Sequence, residues 1–255
     1  MEIDLNSDLG EGFGPWRMGD DVALMDVVSS ANIACGFHAG DPVIMDRTVR
    51  LAGARGIDIG AHVGFPDLLG FGRRPMQADP HEVAIYVIYQ LGALGGIAKA
   101  AGHRMTHMSF HGALGNMAAA DIALAEPLLR AVADFDPTLV ISVSTDTAIE
   151  LAARRMGLRV ATSFLADRAY DDEGALVSRA LPGAVIHNTA DVSRRVLQVL
   201  HEGQITSITG KPLPMTVRSI LLHGDTPGAV ELARTVRHAV EDSGARIVPL
   251  SRMRD

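Results

Sequence analysis

Ser30-Ala31-Asn32-Ile33-Ala34-Cys35-Gly36-Phe37-His38-Ala39-Gly40-Asp41-Pro42 carries a complete strand-to-helix junction. The apolar run Ala31–Phe37 reads as a buried strand. Glycines and His38 mark its end, and Asp41-Pro42 supplies an N-cap with proline at the first helical position. The segment 42–54 that follows has helical periodicity. A strand that feeds a capped helix through a short loop is half of a parallel βα unit.

The same order recurs on both sides of this junction. Strand-like runs fall at Ile3–Leu5, Ile57–His62, Met105–His111, Leu139–Ser144, Val160–Leu165 and Ile220–His223. Helical patterns lie between them at 20–29, 80–101, 117–133, 146–156, 191–201 and 228–242. Asp79-Pro80-His81-Glu82 reads as a capping box, and Thr226-Pro227 repeats the cap-then-proline signal. Seven or eight such units in 255 residues predict one closed (β/α) barrel over 1–255, with an open doubly wound sheet as the second choice.

Hydrophobic residues make up 47% of the chain and charged residues 21%, which excludes a disordered chain. Aromatics are 4%, so the core must be aliphatic. The net charge of −7 and the absence of a Lys/Arg run exclude a generic nucleic-acid groove. A single cysteine, Cys35, allows no internal disulfide and no Cys-rich zinc site, and reads as a buried small hydrophobe. The longest uncharged stretch, Val83–Ala98, holds Gln90 and is short for a membrane span. With no signal-peptide pattern at the start, a cytoplasmic protein without membrane or nucleic-acid partners is expected.

Polar residues gather where the strands end. Asn6, Asp8 and Glu11 follow the first strand, His38 and Asp41 the second, and His62 the third. His111 follows the fourth, Asp167 and Arg168 a later one, and His223 and Asp225 the last. In a parallel α/β fold these ends share one face, where ligands bind. One histidine on a strand is usually structural, but four in register point to a pocket. Asp8 with Glu11 reads equally as a cap pair or as a metal and general-base pair. Gly64–Pro75 is long for a βα loop and is read as a lid. Gly92, Gly95 and Gly96 suit close helix packing or a homo-oligomer contact, and no self-contained phosphate loop is present.

The runs Ile3–Glu11, Ser30–Asp41 and Gly60–His62 resemble the LamB/YcsF family of lactam-utilization and 5-oxoprolinase proteins. So do Phe65–Asp67, Phe71–Arg74, Ala166–Tyr170 and Leu222–Asp225. The likeness extends from Met1 to about Ile247. It implies a seven-stranded barrel of the glycoside hydrolase/deacetylase kind. It implies ATP-dependent opening of 5-oxoproline to L-glutamate together with PxpB-like and PxpC-like subunits, ATP being handled by the complex. On that reading Asp8, Glu11, His38, His62 and His111 are catalytic. Asn6, Asp41, Arg73, Asp167, Arg168, His223 and Asp225 bind substrate. A divalent metal at Asp8, His38 and His62 follows from the deacetylase-like fold. The family's lysine, tyrosine and glutamate are replaced here by Ser109, Gly115 and Ser163. The alternatives are a stand-alone metal-dependent amidohydrolase or deacetylase, and a paralogue that acts on another lactam or lacks catalysis.

Overall fold

The computed structural model describes residues 1–225 and 228–253. In chain order the strands are β1 (Glu2–Leu9), β2 (Ser30–Ala34), β3 (Asp58–Val63), β4 (Met105–Phe110), β5 (Val140–Ser144), β6 (Val160–Leu165), β7 (Gln204–Thr206), β8 (Pro212–Pro214), β9 (Ser219–Leu222) and β10 (Arg246–Ile247). The helices are α1 (Asp21–Met25), α2 (Pro42–Ala54), α3 (Pro80–Ala100), α4 (Gly112–Ala120), α5 (Ile122–Phe135), α6 (Ala148–Arg155), α7 (Thr189–Glu202) and α8 (Ala229–Asp242).

Strands β1 to β6 and β9 pair in parallel, and β9 pairs with both β6 and β1. The sheet therefore closes into a barrel of seven strands, with the helices packed around it. β7 and β8 form an antiparallel hairpin outside the barrel, and β10 lies against the start of β1. On β1, Ile3, Leu5 and Leu9 face the surrounding helices, within an apolar layer that also holds Leu24, Val49, Val87 and Leu91.

The lumen is polar. Alternate residues of the strands, Asp4 and Asp8 on β1, Ser30 and Asn32 on β2, and His107 and Ser109 on β4, hydrogen-bond across it. Barrels of this size are usually filled with branched apolar side chains. Here Gly60 has no side chain because the His107 ring lies over it; a Cβ would come within 2.1 Å of that ring. At the base of the barrel Leu250 and Met253 pack on Val140 and Ala161, while Ser251 bonds Asp58 through its N–H (2.6 Å) and hydroxyl (2.8 Å).

The helix starts follow the caps read in the sequence. Asp41 accepts from Val43 N–H and Ile44 N–H, and Asp79 from His81 N–H. Glu82 is engaged by the Tyr86 hydroxyl, so the second half of the expected capping box is not formed. α8 begins after Gly228; the expected Thr226-Pro227 cap lies outside the described residues.

Four boundaries differ from the sequence reading. β1 runs on to Leu9, so Asn6 and Asp8 lie inside the strand, paired to β2 and β9. β2 stops at Ala34, because Gly36 takes φ +96° and its N–H bonds Ala39 O. The expected helix 117–133 is two helices broken at Asp121, whose extended backbone ends α4 and whose carboxylate caps α5. The expected helix 20–29 shortens to α1, since Ser29 turns inward to bond Asp4.

α3 is long and apolar enough to cross a membrane by length and composition, with a mean hydropathy of 1.4. It packs Val83, Val87, Leu91 and Leu94 into the apolar layer. Gly95 meets Met105 and Phe135, whereas Gly92 and Gly96 face open space.

Candidate functional site

The strand ends bring Glu11, His38, His62 and His111 together. One ligand atom from each lies within 4.8 Å of the others, and all four side chains are buried. Asp8 stands beside them, its Oδ1 3.4 Å from His62 Nε2. The expected metal set of Asp8, His38 and His62 thus becomes, in this geometry, Glu11, His38, His62 and His111.

The hydrogen bonds assign the tautomers. The Phe71 carbonyl accepts from His111 Nε2 at 2.8 Å, so His111 Nδ1 carries a lone pair. His62 Nε2 then donates to His111 Nδ1 at 3.0 Å, and the Ser109 hydroxyl donates to His62 Nδ1 at 2.8 Å. Phe71 can serve in this way because the loop from Gly64 folds over the cluster. Gly72 takes φ +61° there, and a Cβ on it would come within 2.7 Å of His38 and 2.8 Å of His111. An Arg74–Asp67 ion pair and an Asp67 carbonyl bond to Gly72 N–H hold this loop in shape.

His38 stacks on His111 with centroids 3.8 Å apart and planes 6° from parallel. Both His38 nitrogens and Glu11 Oε1 are buried without a hydrogen-bond partner. Buried polar atoms are nearly always paired, so His38 Nε2 and Glu11 Oε1, 3.4 Å apart and without hydrogen bonds, mark a place for a ligand. The donors are three imidazoles and a carboxylate, which suits a transition metal. The outward nitrogens of His62 and His111 are held by Ser109 and Phe71; a metal on His62 Nε2 would move the His62 proton to Nδ1 and make the Ser109 hydroxyl its acceptor. The residues therefore fit a metal ion.

Electrostatics separate the two acids. Burial opposes the charge of Asp8, but His62, His223 and Asn32 outweigh it and hold the carboxyl well below the usual range. Glu11 is pushed well above its ordinary value by burial and then by the charges of Asp8 and Asp225. Burial, with His111 and His62, drives His38 well down, and burial pushes His111 down to about 3. Two acids with opposed tendencies beside neutral imidazoles provide an anion and a proton donor in one place.

A cleft of about 610 Å³ opens above the cluster, lined by Asp8, His62, His111, Arg73, Arg179 and His223. Beside the cluster, after β9, His223 also lines the cleft, and the Asp167 carboxylate accepts from its Nδ1 at 2.9 Å. That bond leaves the His223 Nε2 lone pair free, so the pair is a candidate proton acceptor. At the rim Arg73 bonds Asp225 at 2.7 Å. Ser109 and Ser163 both line the cleft, and Ser163 pairs with Ser142 at 2.8 Å.

Besides the Arg73–Asp225 and His223–Asp167 pairs, two more expected substrate ligands, Asp41 and Arg168, are already engaged, and Asn6 lies below the cleft. Asp41 spends its carboxylate on the N–H groups of Val43, Ile44 and Gly14. Arg168 donates to Ala184 O (3.1 Å) and Val177 O (2.6 Å). Asn6 is fully buried in the lumen below the cleft, and neither of its amide atoms has a partner. Cys35 is buried and its thiol is pushed up to about 12, which suits a structural role. The sequence reading gave no role to Asn32, which links Asp8 to His107, or to Arg179. A period-two polar pattern in β1, β2 and β4 would have exposed Asn32, whereas Arg179 lies in irregular chain with no local signal.

The profile of the LamB/YcsF family matches residues 3–255. The chain is 66% identical over 251 residues to the second 5-oxoprolinase A-subunit of Ralstonia nicotianae, covering 98% of this chain and 96% of that one. It is 62% identical over 253 residues to the first 5-oxoprolinase A-subunit of Pseudomonas syringae pv. tomato, covering 99% of each. Among solved structures, the lactam utilization protein of Thermus thermophilus superposes with a TM-score of 0.92 at 41% identity, over 98% of this chain and 100% of that one.

Proposed function

The chain belongs to the LamB/YcsF family, and from that premise we propose that it opens 5-oxoproline to L-glutamate as the barrel component of an ATP-dependent complex. One observation carries this reading. A cleft joins a buried Glu/His cluster to the Asp167–His223 pair beside it, in a chain whose full-length relatives bear the name of that enzyme.

A five-membered lactam is an unstrained amide and resists attack by water. Phosphorylation of its carbonyl oxygen by ATP turns it into a good electrophile, and PxpB-like and PxpC-like partner subunits supply that step. This chain then binds the activated ring with its carbonyl carbon in the cleft. The His223 Nε2 lone pair takes a proton from the attacking water, while Asp167 holds the imidazole in the right tautomer. The same proton is returned to the ring nitrogen as the C–N bond breaks, so both hydrogens of the water end on the amine and the ring opens to the acyl phosphate; a second water then releases inorganic phosphate and leaves L-glutamate. Asp8 keeps its negative charge beside the cluster, its Oδ1 3.4 Å from His62 Nε2. Glu11, His38, His62 and His111 are the residues that would hold a divalent metal, which when bound polarises the carbonyl as a Lewis acid.

The same four-residue cluster favours a second reading, a metal-dependent amidohydrolase that needs no ATP. Glutamate release from 5-oxoproline separates the two. It is expected only when ATP and the partner subunits are both present. Release by the chain alone would establish the amidohydrolase, and no release in any mixture would overturn both readings.

A further inference from the structure

Three arginines line the cleft, and two of them are occupied. Arg73 is paired with Asp225 and lies over the Phe71 ring, 4.7 Å from its centroid. Arg168 is tied to the carbonyls of Val177 and Ala184. Arg179 forms no hydrogen bond and no ion pair with any described residue. Its guanidinium is partly desolvated: burial, then the Arg73 charge, pull it below its ordinary value. The charges of Asp225, Asp167 and Asp8 act on it without forming an ion pair, so an anion that docks directly against it relieves the cost of its desolvation.

The chain around Arg179 is built to hold it still. Val177 N–H bonds Ala169 O, Ala169 N–H bonds Ala184 O, and Ile186 N–H bonds Asp167 O. Arg168 clamps Val177, two residues before Arg179, from inside. The braced backbone fixes where the Arg179 side chain starts, and its guanidinium supplies the fork that suits a planar anion. Resting on the function proposed above, the anion to be recognised is defined by the substrate. 5-Oxoproline carries a carboxylate on the side of the ring nitrogen opposite the carbonyl. With the carbonyl at the Glu/His cluster, that carboxylate points away from the cluster.

We propose that Arg179 is the specificity-determining residue that binds the substrate carboxylate, with Arg168 as the positioning residue that sets its loop. This replaces the roles that the sequence assigned to Arg73 and Arg168.

The test uses the complete complex with ATP, and measures the KM and kcat for 5-oxoproline and the Ki of 2-pyrrolidinone, the same lactam without the carboxylate, as a competitor. Arg179→Gln is expected to raise the 5-oxoproline KM by about ten- to a hundredfold. It is expected to leave the 2-pyrrolidinone Ki within about threefold of wild type. Arg179→Lys, which keeps the charge but loses the fork, should fall between the two. An unchanged KM overturns the assignment. A fall in kcat at unchanged KM also overturns it, since the cation would then serve the transferred phosphoryl group. A rise in Ki equal to the rise in KM overturns it as well, as a general collapse of the cleft. Failure of the wild-type complex to release glutamate would instead remove the functional reading on which the assignment rests.

Discussion

The two ends of the barrel lumen bury acids in opposite ways. At the base, Asp4 is fully buried and accepts hydroxyl hydrogens from Ser29, Ser30 and Ser219 at 2.5–2.7 Å. Below it the C-terminal residues Leu250 and Met253 plug the opening, and Ser251 satisfies Asp58. At the mouth, Glu11 and His38 are also buried and stand 3.4 Å apart, but neither Glu11 Oε1 nor the His38 ring has a hydrogen-bond partner. Polar burial alone therefore says nothing about function. A satisfied buried acid fixes the fold, and an unsatisfied one waits for a ligand. The base is built for stability and the mouth for chemistry, as in other barrels of parallel strands.

Changing one acid at each end tests this contrast. Glu11→Gln keeps the shape but removes the carboxylate that would ligate a metal, and should cut turnover in the complex by about 10³-fold. Its melting temperature should stay level or rise, because an unpaired buried carboxyl is lost.

Asp4 gives the next largest effect, on stability and its pH dependence. Burial pushes Asp4 up to about 6, against the pull of its three serine bonds. The folded state thus holds the Asp4 proton more tightly than the unfolded state. The stability this contributes is fully present at low pH and is lost as pH rises from the unfolded carboxyl value toward 6. The wild type should therefore lose up to about 3 kcal/mol relative to Asp4→Asn between pH ~4 and pH ~7, read from denaturant unfolding at each pH. Equal slopes for the two proteins would show that Asp4 does not titrate as its burial requires.

The smallest effect is expected at the Asp167–His223 pair. Asp167→Asn retains the shape of the His223 partner but no longer fixes the tautomer. Turnover should fall by about 10²-fold, with little change in the KM for 5-oxoproline. A loss confined to KM would make the pair a substrate-binding element only.

Much of this architecture is written in local signals. Asp41-Pro42 and Asp79-Pro80 announce their helices because capping is a short-range interaction. The apolar runs announce the strands, and the histidines at their ends announce the mouth. The base was not legible, because Asp4, Ser30 and Ser219 come together only when β9 closes onto β1. The role of Asp41 was not legible either, since an aspartate before proline reads equally as a cap or a ligand until its oxygens are seen to be used. Nor does the sequence show that the Arg168 fork is spent on carbonyls of a loop with no sequence signature, while Arg179 on that loop makes no hydrogen bond with any described residue. What escapes the sequence is which polar groups satisfy one another across the closed barrel.

The most direct measurement is glutamate release and thermal unfolding recorded side by side for Glu11→Gln and Asp4→Asn in the complex with ATP. Glu11→Gln should lose turnover and keep its melting temperature, while Asp4→Asn should retain turnover and shift only in stability. Turnover by Glu11→Gln within about threefold of wild type would contradict the assignment of the mouth as the site of chemistry.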